Sequence, residues 1–302
     1  MLRTILLKLS ESKMMARQMV RNPVARRVAR RFVAGETLEE AIAAARVSNQ
    51  KGMHVSLDFL GEHVASETEA RSVRDMYLGI FDRIAAEKLD ANVSLKLTQL
   101  GMDLNEAMCE ELLASIVARA AEHRNFVRVD MEGSAHTQRT IDLVKRVRGK
   151  NASVGTVVQS YLYRTEDDVR GLLGIDCRIR LCKGAYKEPA SVAFPRKADV
   201  DANYVKLMKM LLPSGIYHGI ATHDEAMIRA TKEFAQQQNI GKDKFEFQML
   251  YGIRSDLQEQ LVREGYNMRV YIPYGTQWFP YFMRRLAERP ANVLFFVKSL
   301  FR

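Results

Sequence analysis

Tyr271-Ile-Pro-Tyr-Gly-Thr-Gln-Trp-Phe-Pro-Tyr-Phe-Met-Arg-Arg-Leu-Ala-Glu288 holds the plan of the whole chain. Residues 268–272 read as a strand, Pro273 and Gly275 as a turn, and residues 277–289 as a helix that stops before Pro290. Pro280 suits that helix only in its first turn, where a missing N–H costs nothing. The same strand-then-helix unit recurs upstream. Further strands are expected at 54–60, 92–97, 126–131, 153–158, 177–182, 216–222 and 245–249, with helices at 67–88, 106–122, 135–147, 165–173, 199–212, 225–238 and 254–264. Eight strands alternating with helices predict a (β/α)8 barrel. A doubly wound sheet is the alternative, but no strand is followed by the G-x-G-x-x-G turn of a dinucleotide-binding fold.

Barrel enzymes work at the C-terminal ends of their strands, and period-two alternation says which residues share a face. Ser94, Lys96 and Thr98 alternate with apolar residues in Val93-Ser-Leu-Lys-Leu-Thr98, and Arg128 and Asp130 do so in Phe126-Val-Arg-Val-Asp-Met131. The following strands offer Gln159, Arg180, Gln248 and Tyr271 near their ends. One such residue is ordinarily an internal salt bridge, as Lys96 with Asp130 could be. Six at equivalent places describe a pocket with convergent polar groups. Lys183-Gly184-Ala185-Tyr186, directly after the fifth strand, can bring backbone N–H groups and a charge to a phosphate. Thr222-His223-Asp224 either caps the next helix or receives an anion there. On the last helix Arg284 and Arg285 project about 100° apart, so two guanidinium forks can close on one small anion, with Glu288 within reach to steady one of them.

The chain has 302 residues, 47% of them hydrophobic, enough for one large domain. No apolar run is long enough to span a membrane. Cys109, Cys177 and Cys182 lack C-x-x-C spacing and read as reduced thiols; the six histidines form no metal-ligand motif. The net charge of +10 is uneven: residues 1–34 hold nine Lys or Arg against Glu11 alone, which is +8. Such a segment can be a transit peptide, an arm lying on acidic lipid or nucleic acid, or a solvated helix. The apolar run at 293–301 reads as a docked helix.

The ordered motifs Leu95-Lys96-Leu97, Arg128-Val-Asp130-Met131-Glu132, Gln159-Ser-Tyr161, Arg180-Leu-Cys-Lys183-Gly-Ala-Tyr186, Thr222-His223-Asp224, Phe247-Gln248-Met249-Leu250-Tyr251-Gly252 and Tyr271-Ile-Pro-Tyr-Gly275 resemble proline dehydrogenase in its short single-function bacterial form. The resemblance runs from about residue 50 to the end, and the length is too short for the bifunctional form. It implies a distorted (β/α)8 barrel at 49–302, behind a basic helical arm at 1–48, with the last barrel helix over the strand C-terminal ends. It implies FAD and the oxidation of L-proline to Δ1-pyrroline-5-carboxylate, with electrons passing to a membrane quinone. The expected location is therefore cytoplasmic, at an anionic inner membrane face, with no nucleic-acid partner and no metal. By similarity Lys96, Arg284 and Arg285 bind the substrate carboxylate, Asp130 orients Lys96, and Tyr271 lines the ring. Glu288 supports the clamp, and Glu62 is the gate residue. Met131, Gln159, Arg180, Lys183, Gly184, Ala185, Tyr186, Thr222, His223 and Gln248 hold FAD. Lys187 stands where bifunctional relatives often carry tryptophan. Two other readings compete: a Schiff-base aldolase using Lys96, and a non-catalytic basic protein acting through residues 1–34.

Overall fold

The computed structural model describes Met15, Met19, residues 22–61 and residues 63–288. Its eight strands are β1 His54–Phe59, β2 Ala91–Leu95, β3 Val127–Val129, β4 Val154–Gln159, β5 Ile179–Cys182, β6 His218–Ala221, β7 Phe245–Leu250 and β8 Asn267–Tyr274. They are parallel and close in sequence order into a barrel. Helices α1 Pro23–Ala29 and α2 Leu38–Gln50 precede the barrel. Helices α3 Glu67–Ala86, α4 Glu106–Glu122, α5 Ser134–Arg148, α6 Thr165–Leu173, α7 Lys197–Leu211, α8 Glu225–Gln237, α9 Ser255–Arg263 and α10 Trp278–Glu288 follow strands one to eight in turn. No described helix is long and apolar enough to cross a membrane.

Helix starts follow local chemistry. Ser66, Asn105 and Asp224 cap α3, α4 and α8 with side-chain oxygens that accept backbone N–H bonds. Thr37 and Glu40 form a capping box at α2. That helix straddles residue 48, and its buried Ala41, Ile42 and Ala45 join the main core. Buried packing on the barrel therefore begins at Ala41, inside the stretch that the sequence reads as the basic arm.

Register decides the rest. Partnered residues share a face, so the pairs Asp58↔Ser94, Ser94↔Arg128, Arg180↔Gly219 and Gly219↔Glu246 put these residues on one side of the sheet. Their neighbours Leu57, Val93, Leu95, Val127, Val129, Leu181, Phe247 and Ile272 are wholly buried in the core with the helices. The aliphatic face points out to the helices and the polar face fills the lumen. The interior of this barrel is thus a charged column where the fold commonly has aliphatic layers.

Helix α10 lies over the strand C-terminal ends, as expected. Its Trp278, Phe279, Phe282, Met283 and Leu286 form a second core with Leu60, Ile253 and the arm residues Ala25, Val28, Ala29, Phe32 and Val33. The arm is tied down by Trp278 Nε1 donating to Glu36 Oε1 at 3.1 Å and by Gly275 N donating to Gly35 O at 3.0 Å.

Candidate active site

At the lumen's C-terminal end β1, β2, β3 and β8 bring together Asp58, Lys96, Asp130 and Tyr271. Lys96 Nζ lies 3.4 Å from Asp58 Oδ2 and 4.0 Å from Asp130 Oδ2. The nearer partner is Asp58, which the sequence reading did not name, and the expected Asp130 is the second carboxylate within ion-pair distance of Lys96. Asp130 also accepts from Arg180 Nη1 at 2.7 Å and from the Tyr271 hydroxyl at 2.7 Å. The reason is geometric: Asp130 sits between two close donors, while Asp58, fully buried, faces the lysine from the neighbouring strand. Burial pushes the Asp58 carboxyl above its ordinary range; Lys96 opposes that, and the Asp130 charge adds to it. Burial also raises the Tyr271 phenol, helped by the two carboxylates, so it stays protonated and donates. Asp58 was missed, although alternation in His54-Val-Ser-Leu-Asp-Phe59 carries the same signal that found Lys96.

Strands β4 to β7 supply the other half of the mouth. Arg180, 6% exposed, donates from Nε to Gln248 Oε1 at 2.5 Å and from Nη2 to Ser94 Oγ at 2.9 Å, with its guanidinium 5.1 Å from the Tyr271 ring centre. Gln159 is buried and donates to Glu132 O at 2.9 Å; the buried Glu132 carboxylate in turn holds the Thr98 hydroxyl at 2.8 Å. Met131 is buried beside them. Gly184 has φ +116° with the Tyr161 ring against its Cα; a Cβ would overlap that ring, so only glycine fits. Ala185 and Tyr186 follow, half-buried. Lys183 is clasped by Asp201 at 2.5 Å and Asp224 at 2.7 Å, and Asp224 also caps α8. Thr222 Oγ1 accepts from Asp224 N at 3.0 Å. His223 Nε2 accepts from Leu250 N at 3.0 Å, which leaves the proton of the neutral ring on Nδ1.

On α10, Arg285 is buried with its guanidinium 5.1 Å from the Tyr281 ring centre, and Arg284 is half-buried. Glu62 and the Glu288 side chain lie outside the described residues.

A (β/α)8 barrel whose catalytic mouth gathers carboxylates, a lysine, a tyrosine and an arginine beneath an arginine-bearing helix defines an enzyme for a small charged substrate. The family model described as proline dehydrogenase matches residues 41–298. Proline dehydrogenase 2 of Bacillus subtilis (strain 168) is 46% identical over 283 residues, 94% of this chain and 93% of that protein. Proline dehydrogenase 1 of Bacillus subtilis subsp. natto is 42% identical over the full length of both. Among solved structures, proline utilization A from Bdellovibrio bacteriovorus, inactivated by N-propargylglycine, superposes with a TM-score of 0.82 at 27% identity. That match covers 87% of this chain and 33% of the other, so this chain spans about a third of that protein. The chain belongs to the proline dehydrogenase family, and its activity is the dehydrogenation of proline in proline catabolism.

Proposed function

We propose that the chain oxidises L-proline to Δ1-pyrroline-5-carboxylate with bound FAD, at the inner face of the cytoplasmic membrane. FAD, when bound, supplies the hydride acceptor at N5 and the route by which electrons leave to a membrane quinone. The residues present fit such a group. Strand ends β4 to β7 present an amide and a guanidinium, and the turn after β5 runs through Gly184, whose Cβ side is filled by the Tyr161 ring.

In this reading Gln159, Arg180, Lys183, Gly184, Ala185, Tyr186, Thr222, His223, Gln248 and Met131 hold the flavin. Arg284, Arg285 and Lys96 bind the proline carboxylate, with Glu288 steadying the clamp. Tyr271 packs on the ring. Asp130 holds Tyr271 and Arg180, and Asp58 holds Lys96 charged. Glu62 closes the site as a gate. Fixing the ring by its carboxylate in a desolvated mouth supplies orientation, the part of the barrier a protein can remove. The Schiff-base alternative needs an unpaired, neutral Lys96, which two carboxylates within 4.0 Å disfavour.

The observation that carries the reading is the hydrogen-bonded line Gln248–Arg180–Asp130–Tyr271, which joins the flavin half of the mouth to the proline half. Purified protein is expected to show a flavin spectrum, or to acquire one with added FAD, that L-proline bleaches without oxygen. A protein that takes up no FAD would remove the flavin reading. The membrane contact rests on exposed Arg26, Arg27, Arg30 and Arg31 at α1. Their replacement by Gln is expected to lower pelleting with anionic vesicles and remove its salt dependence; unchanged pelleting would refute the contact.

A further inference from the structure

Below the mouth the lumen carries a charged pair that the proposed chemistry does not use. Glu246 on β7 is 2% exposed and Arg269 on β8 lies beside it, Nε to Oε1 at 2.7 Å. The same Oε1 accepts from Gln248 Nε2 at 2.5 Å, and Oε2 accepts from the Tyr217 hydroxyl at 3.2 Å. Gln248 turns its other end to Arg180, whose Nε donates to Oε1 at 2.5 Å. An amide has one donating and one accepting end, and a flipped amide would set its NH2 against the Arg180 N–H. A carboxylate below can only accept from Gln248, so it selects the orientation that serves Arg180. Gly219 on β6 closes the other side: a Cβ there would overlap Gln248 Nε2.

We infer that Glu246 is a positioning residue: it fixes the Gln248 amide, and through it Arg180, Asp130 and Tyr271, in the arrangement the active site needs. Burial works to raise the Glu246 carboxyl, but Arg269, Arg128 and the Gln248 amide outweigh it and hold it below its ordinary value, so the group is an anion throughout the working range. Other titratable groups near it are Tyr217 and His54, the latter level with Arg269 on the adjoining strand β1. The inference rests on the flavin reading for its effect on cofactor affinity but not for its effect on Arg180.

The test uses the full chain. In Glu246→Leu the acceptor is lost, and Arg180 is expected to loosen. The Arg180 Nε–H, identified by its loss in Arg180→Lys, should exchange with solvent at least tenfold faster, and the Kd for FAD added to apoprotein should rise at least tenfold. Glu246→Gln keeps an acceptor at the same place and should rescue most of both losses. Gly219→Ala, which pushes the amide without touching any charge, should reproduce them and serves if the Leu variant does not fold. A folded Glu246→Leu or Gly219→Ala whose Arg180 exchange stays within twofold of wild type overturns the inference. A wild type that binds no FAD refutes the flavin reading alone, and the exchange measurement still decides this one.

Discussion

Replacing Asp130 by Asn tests whether the lumen is a charge-balanced column. Among the described residues Asp130 is the one carboxylate within salt-bridge distance of Arg180, at 2.7 Å, and Arg180 is 6% exposed. At an effective dielectric of about 20, a unit pair at that distance attracts by roughly 6 kcal/mol. Desolvation in the folded state takes back much of this, and removing one partner of a buried pair costs about 3–5 kcal/mol net, because a cation remains without a counterion. Asn preserves the volume and can keep its oxygen toward Arg180, but its NH2 then meets the Tyr271 hydroxyl, which must reverse and accept. Unfolding entropy of about 2.1 cal/mol/K per residue over 302 residues is about 0.63 kcal/mol/K, so the loss corresponds to a Tm lower by about 5–8 °C. The assay is thermal unfolding followed by circular dichroism on FAD-free protein, with kcat/KM for L-proline measured on protein saturated with FAD. The activity should fall at least tenfold. A Tm within 2 °C of wild type would show that Arg180 does not depend on Asp130, and the column argument would fail with it.

Arg285→Met keeps the apolar stem of a buried side chain and removes its fork; FAD binding should persist while the Kd for L-proline, from anaerobic flavin reduction, weakens by roughly 2–5 kcal/mol, and an unchanged Kd would take Arg285 out of the clamp. Gly184→Ala forces a side chain into a left-handed backbone against Tyr161, at a strain of about 1–3 kcal/mol, and should raise the Kd for FAD by an order of magnitude, read by titrating apoprotein; wild-type affinity would mean that this turn does not approach the cofactor. His218 is buried, accepts from Ile179 N at 3.0 Å, and is pushed down to about 3 by burial and the nearby Arg128. Its stabilisation is present above the ordinary histidine pKa of about 6.5 and is lost as pH falls below it, by up to 1.4 kcal/mol per pH unit. Relative to His218→Gln, wild type should therefore lose about 2 kcal/mol between about pH 6.5 and 5 in urea unfolding, and a parallel pH dependence in the two proteins would exclude it.

The barrel was legible because its two faces obey one simple rule. Strands such as Val93-Ser-Leu-Lys-Leu-Thr98 alternate strictly, and helices α4 Glu106–Glu122 and α6 Thr165–Leu173 begin and end at residues the sequence marks, Asn105 before the one and Gly174 after the other. Less legible was α2, whose short alanine-rich face Ala41, Ile42 and Ala45 packs on the barrel. Its neighbours' charge reads as part of the basic arm, because packing depends on the partner surface and not on local composition. Alternation also finds which polar residues face inward, but it is silent on which acid meets which base. Lys96 pairs first with Asp58 because β1 and β2 are adjacent and Asp58 stands level with Ser94, one inward position below the lysine. Asp130 is taken up by Arg180 and Tyr271, which reach it across the lumen from β5 and β8.

Those cross-lumen partners are set by the stagger of a closed barrel, a quantity spread over all eight strands. The lumen charges then constrain one another. Asp58, Asp130, Glu132 and Glu246 lie among Lys96, Arg128, Arg180 and Arg269, four acids against four bases in the buried lumen and mouth. A balanced column has no spare cation for an incoming carboxylate, so the charge that meets it has to come from the helix above the mouth. On the proposed function, the affinity for the proline carboxylate thus comes from the Arg284 and Arg285 clamp, and the column below fixes the geometry it closes on. The strand-end residues and the Glu246–Arg269 pair then act as one electrostatic unit rather than as a site resting on an inert core.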